Sequence, residues 1–178
     1  MTSGSHSEIG RRSLRSQATH QKYVDTIARS GQKSAHRLSV MKSPLHGFGC
    51  FATVRFPKGS SIAEYAGERI TYKEAMHRMR RHGGKHISEL HADCYIDGSV
   101  NGNDTQFINH SCEPNTDAFI VDGFMILFAL KEIVPGEEIT VDYLNSFEHD
   151  RTVCHCGAAS CRQKLIRRPL KKPAPARQ

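Results

Sequence analysis

The chain has no tryptophan, and its aromatic residues amount to only 7%, an absence that by itself excludes no fold class. Long hydrophobic runs are also missing. The longest, Phe124 to Leu130, has seven residues and is closed by Lys131, far short of the ~20 needed to span a bilayer as a helix. An integral membrane protein is therefore excluded. No apolar stretch follows the N-terminus, so no secretory signal peptide is expected. Six cysteines in 178 residues are too sparse for a disulfide-stapled mini-scaffold. There is no internal repeat. What remains is one chain of 19.9 kDa with 38% hydrophobic residues and a mean hydropathy of −0.52, room for one domain with a modest core.

The net charge of +7 is unevenly spread. Residues 1–37 carry seven bases against two acids, and residues 162–178 carry seven bases and no acid. The body between them, 38–161, has 11 bases against 16 acids, a net −5. Two basic tails flank an acidic body. Such tails are ordinarily solvated, with weak contact to nucleic acid as the alternative. The acidic body suits a cationic partner such as a Lys- and Arg-rich peptide.

Residues 1–36 are rich in Ser, Gly, Gln, Thr, His and Arg and read as a disordered leader. Order begins near the alternating stretch 36–40. Pro44 and 46–49 make a loop, and strands follow at 50–54 and 62–67. Thr71 and Glu74 have capping-box spacing, which predicts a helix to about residue 82, stopped by Gly83-Gly84. Residues 85–104 read as irregular apart from a strand at 94–97, and 105–108 as a helical turn. Residues 119–121 and 124–130 form a hairpin about Asp122-Gly123, and 139–143 make a last strand. Many short strands with one helix exclude a doubly wound α/β fold.

Cys154-His155-Cys156-Gly157-Ala158-Ala159-Ser160-Cys161 places three thiols within eight residues. Three thiols can converge on one tetrahedral zinc ion, and a closed structural site needs a fourth N or S ligand. Cys50, Cys94, Cys112 and the local His155 are the candidates. A disulfide with spare thiols is the alternative, disfavoured in the absence of an export signal.

Several segments occur together in a recognisable order. They are Gly47-Phe48-Gly49 with Phe51-Ala52, then Glu64-Tyr65-Ala66-Gly67-Glu68, then Phe107-Ile108-Asn109-His110-Ser111-Cys112-Glu113-Pro114-Asn115, then Gly136 to Tyr143 (GEEITVDY), then the cysteine cluster. Over roughly residues 37–165 the chain resembles SET-domain protein-lysine N-methyltransferases with a post-SET segment. The resemblance implies a mostly β fold of short strands with a pseudoknot and one main helix, plus a small C-terminal zinc-binding segment. The expected boundaries are 1–36 leader, 37–147 SET domain, 150–166 post-SET segment and 167–178 basic tail. It implies S-adenosyl-L-methionine as methyl donor, contacted by His46, Phe48, Asn109, His110 and His155. It implies zinc held by Cys112, Cys154, Cys156 and Cys161. Tyr143 is the implied catalytic tyrosine, and Tyr65 lines the implied lysine channel. The implied substrate is lysine in a basic protein, a histone or histone-like tail among them. A cytoplasmic or nuclear location and no membrane contact are expected.

The sequence departs from the family pattern at Gln106, where Arg is frequent, at His86, where a tyrosine is common, and at Val141, where Phe or Tyr is frequent. Read without the resemblance, Tyr143 and Tyr65 are ordinary packed aromatics, Asn109-His110-Ser111 is a cap and turn, and Cys50 and Cys94 are small buried residues. A module that binds lysine-rich tails without turnover is the competing function. A basic zinc protein that binds nucleic acid is a third, weakened because the charge lies in the tails and no helix-based finger spacing is present.

Overall fold

A computed structural model describes residues 37–143, apart from 84 and 92, and residues 153–165. The expected leader 1–36 and tail 167–178 lie outside the described residues, as do the ends of the two expected domains at 144–152 and 166. The elements run β1 (Leu38–Lys42), β2 (Phe48–Ala52), β3 (Ser61–Glu64), β4 (Glu68–Ile70), α1 (Tyr72–His82), β5 (Ile87–His91), β6 (Cys94–Asp97), a 3-10 helix (Asp104–Phe107), β7 (Asn109–His110), β8 (Thr116–Val121), β9 (Phe124–Ala129) and β10 (Glu138–Val141). They form three small sheets, ordered β1-β2-β10-β7, β3-β9-β8 and β4-β6-β5.

The last strand positions the site. β10 lies between β2 and β7, antiparallel to the first through Ile139 and Cys50. It runs parallel to the second through Thr140–Asn109 and Val141–His110. Residues about 30 apart in sequence are thereby neighbours. Ile139 is fully buried with Cys50, Phe56 and Ile133 in the central core, and each such side chain contributes roughly 1.5–3 kcal/mol of burial.

α1 forms where its caps predict. Thr71 Oγ1 accepts from the Glu74 N–H at 3.3 Å. Gly83, at φ 75°, donates its N–H to Met79 O, a left-handed stop that glycine adopts without a Cβ clash. Glu74 pairs with Arg78 at 2.7 Å rather than completing the capping box. Ala75 and Met79, one turn apart, bury against Ile70, Ile87 and Tyr95. Arg78 also reaches Glu68 at 2.7 Å and the buried Asp97 at 2.8 Å, so one guanidinium ties α1 to β4 and β6. No helix among the described residues is long and apolar enough to cross a membrane.

The β8–β9 hairpin turns on Asp122 and Gly123, both at positive φ (47° and 81°), as a two-residue primed turn requires. Three strands depart from the sequence reading, the two-residue β7 among them. β5 lies inside the stretch expected to be irregular, because a register shift between Glu89 and His91 breaks its alternation. Ile87 and Leu90, an odd number of residues apart, are both buried as a result. β4 is only three residues long, with Ile70 alone buried, too short for a period to show.

Candidate functional site

β7 contributes Asn109 and His110, both buried among the polar residues of the core. The Asn109 Nδ2 donates to His46 O at 3.1 Å, Phe48 O at 3.0 Å and Glu138 Oε1 at 2.7 Å. The loop before β2 is thus fastened to β7 and β10. His46 and Phe48 are exposed, Phe48 at 62%, with its ring edge-on to Phe107 at 6.4 Å. A large apolar side chain left that open on a pinned loop is suited to cover a ligand.

Tyr143 follows β10. Its N–H donates to His110 Nδ1 at 3.1 Å and its hydroxyl donates to Ile108 O at 2.6 Å. Accepting at Nδ1 leaves the His110 proton on Nε2, which lies 3.3 Å from Cys112 Sγ. Burial lowers the His110 pKa, against the opposing pull of Asp142, so the neutral ring is favoured. Tyr65 donates its hydroxyl to His86 O at 2.8 Å. Burial holds its pKa well above the ordinary phenol value, Ser88 opposes, and nearby Tyr143 adds to the rise. Tyr65 is therefore neutral, and both tyrosine hydroxyls commit their protons to main-chain carbonyls. Two of the residues that depart from the family pattern meet here, since His86 Nδ1 lies 3.0 Å from Gln106 O. The His86 ring also packs edge-on to Phe107 at 6.4 Å.

The cysteine segment folds back onto the turn after β7. Cys112 Sγ lies 3.8 Å from Cys154 Sγ. A Zn–S distance of ~2.3 Å in a tetrahedron gives an S–S edge of about 3.8 Å, so this pair fits one zinc ion. The Cys112 N–H donates to Cys156 Sγ, the Arg162 N–H to Cys112 Sγ and the Gln163 N–H to Cys161 Sγ, each at 3.4 Å. Such donors stabilise thiolates. Burial acts to raise the Cys156 pKa, but the backbone N–H groups of Cys112 and Ala158 and the neighbouring thiols bring it down to about 6. His110, Cys112, Cys154 and Cys156 offer ligand atoms all within 4.8 Å of one another, and Cys161 hydrogen-bonds within the same thiol cluster. Of the open candidates for a fourth ligand, Cys112 is brought to the cluster. Cys50 is fully buried in the central core, where burial pushes its thiol up to about 12. Cys94 packs against Leu90, Ile96 and Met125. His155 points outward, exposed between buried Cys154 and Cys156.

Four side chains that the sequence reading gave no role stand around these residues. Glu138 takes the Asn109 amide. Arg162 forms a two-pronged pair with Asp142 at 2.6 and 2.8 Å, beside Tyr143. Glu113 accepts from the Ser160 N–H at 2.9 Å, a further tie to the cysteine segment. Glu138 and Asp142 lie inside the GEEITVDY motif, so the signal was present, but a motif does not say which way a carboxylate faces.

Residues 47–144 match the SET domain family. The chain is 38% identical over 136 residues to histone-lysine N-methyltransferase trithorax of Drosophila virilis, 72% of this chain and 4% of that protein. It is 35% identical over 150 residues to histone-lysine N-methyltransferase ASHH3 of Arabidopsis thaliana, 79% of this chain and 41% of that protein. The chain thus spans less than half the length of these curated relatives. Among solved structures, the methyltransferase domain of human histone-lysine N-methyltransferase SETMAR superposes with a TM-score of 0.65 at 29% identity, covering 75% of this chain and 59% of that one.

Proposed function

The chain belongs to the SET-domain family, and on that premise we propose that it is an S-adenosylmethionine-dependent protein-lysine N-methyltransferase acting on a basic protein, a histone or histone-like tail being the class that fits. The observation that carries this reading is the Tyr143 hydroxyl, fixed on Ile108 O at 2.6 Å with its backbone on His110. A packed strand-end aromatic does not require either bond.

S-adenosylmethionine, when bound, supplies an electrophilic sulfonium methyl. Asn109, His110 and the main chain of His46 and Phe48 would hold it, with His155 over its far end. The nucleophile is a lysine amine with a reference pKa of ~10.4, and it must reach the site neutral. The chain's part in that is desolvation, since Tyr65 packs against one core cluster with Val141 and against another with Ala118, and removal from water disfavours the ammonium. Both tyrosine hydroxyls already donate to carbonyls, so toward the substrate they are acceptors that orient the amine. A carboxylate there would hold the lysine proton on; a neutral phenol does not.

Cys112, Cys154, Cys156 and Cys161 would hold one zinc ion with a structural role, locking the cysteine segment beside Tyr143. The −5 body supports a cationic protein partner, and the basic tails support weak nucleic-acid contact. A cytoplasmic or nuclear location is part of the same reading.

The test is transfer of a radiolabelled methyl from S-adenosylmethionine to a panel of basic peptides and proteins. Label on lysine is expected. Binding of donor and peptide with no label on any member would replace the enzyme with a non-catalytic module.

A further inference from the structure

Glu138 stands behind both parts of the donor pocket. Ser43 Oγ donates to its carboxylate, 2.8 Å from one oxygen and 2.9 Å from the other. The same Ser43 oxygen accepts the N–H of Leu45 at 2.9 Å and of His46 at 3.3 Å. The carboxylate thus anchors the loop whose carbonyls at His46 and Phe48 accept from Asn109. Asn109 Nδ2 itself donates to Glu138 Oε1 at 2.7 Å. Gly49 makes room for this, because a Cβ there would lie 2.2 Å from Glu138 Oε1 and 2.8 Å from its Cδ.

The three partners of the Asn109 amide, two carbonyls and a carboxylate, can only accept. The NH2 must therefore face inward, and Oδ1 faces the other way. Among the described residues nothing donates to Oδ1. We propose that Glu138 is a positioning residue for the methyl donor: it fixes the Asn109 amide so that Oδ1 is presented to the donor's ammonium group, and through Ser43 it holds loop 43–48 in place. The proposal rests on the donor-binding reading above. A flipped amide would set NH2 against an ammonium, and Oδ1 against the Glu138 carboxylate and the His46 and Phe48 carbonyls, all repulsive. Glutamine at 138 removes the carboxylate's share of that penalty, because its own NH2 can donate to a flipped Oδ1, and weakens the Ser43 anchor that holds the two carbonyls in place.

A merely structural Glu138 would lower stability and every kinetic parameter together. A positioning Glu138 acts on donor affinity alone. Calorimetry with S-adenosylmethionine on the full chain is expected to give Glu138→Gln a Kd about tenfold weaker than wild type, on the scale of one charge-assisted hydrogen bond. Peptide KM and kcat at saturating donor should change by less than about twofold, and the melting temperature should hold. Gly49→Ala alters no polar group but displaces the carboxylate, and should show the same loss; Ser43→Ala is the milder third variant. Folded Glu138→Gln and Ser43→Ala proteins that bind donor like wild type would overturn the proposal. Wild-type protein that binds no donor would overturn the donor reading together with it.

Discussion

Tyr143 and Cys112 share one partner. The His110 imidazole accepts the Tyr143 N–H at Nδ1, 3.1 Å away, and sets Nε2 3.3 Å from Cys112 Sγ. A side chain from the two-residue strand β7 therefore links Tyr143 to the thiol cluster. Arg162 makes a second link, donating its N–H to Cys112 Sγ and its guanidinium to Asp142.

Loss of metal should therefore be felt at Tyr143. We expect one zinc per chain in metal analysis, and Cys112→Ser to lose it. The variant should become sensitive to proteolysis C-terminal of Tyr143, and its melting temperature should fall. Full zinc occupancy in Cys112→Ser would remove Cys112 from the ligand set.

Tyr143→Phe separates binding from chemistry. The hydroxyl's bond to Ile108 O is worth about 1 kcal/mol of stability, so the variant should fold. Donor affinity by calorimetry should stay near wild type, while turnover drops by about a hundredfold or more, the scale of losing one preorganised polar group. Wild-type turnover would take Tyr143 out of catalysis.

Much of this was legible in the chain, and the exceptions have physical causes. The α1 caps, the Asp122-Gly123 hairpin and strand β6 follow from local chemistry written within a few residues. β5 was hidden because its bulge puts Ile87 and Leu90 on one face. β7 was hidden because it is two polar residues paired to a strand 31 positions later. Cys112 was one of four open candidates on spacing; its meeting with Cys154 is a tertiary fact. The role of Glu138 depends on Gly49 leaving space for it, and no single motif contains both.

The Arg78 cluster predicts an acid limb. Burial raises the Asp97 pKa, but Ser99 and Arg78 outweigh it and hold the carboxyl below its usual range. A depressed carboxyl contributes stability above its unfolded value of ~3.9 and loses it as pH falls through the folded value. Arg78→Gln leaves Asp97, whose side chain is 5% exposed, without its cation. The cost at neutral pH should be about 2 kcal/mol, and the acid-unfolding midpoint followed by circular dichroism should move up. An unmoved midpoint would show that Ser99 alone suffices.

Charge should govern peptide capture. With the 38–161 body at −5, affinity for a Lys-rich peptide should fall as salt rises, because exposed charges are screened beyond ~8 Å at physiological ionic strength. Affinity that is flat from low to high salt would mean that the body's net charge plays no part.

The number of methyls added depends on room around the amine. An already methylated amine must rotate to turn its lone pair back toward the donor, and a bulky neighbour blocks that rotation. Val141 borders the same core cluster as Tyr65, and Ala118 shares another with it; both are small. The bulky candidates on β8 and β9 are otherwise engaged. Phe119 packs edge-on to Phe128 at 5.8 Å, and Phe124 lies under the Arg69 guanidinium at 5.2 Å. Wild-type enzyme with excess donor should therefore proceed to di- or trimethyl-lysine in a mass-spectrometric time course. Val141→Phe should shift accumulation toward monomethyl product, with an overpacking cost of about 1–3 kcal/mol that a melting curve would report separately. Monomethyl-lysine as the end point of the wild type would mean that another side chain closes the pocket.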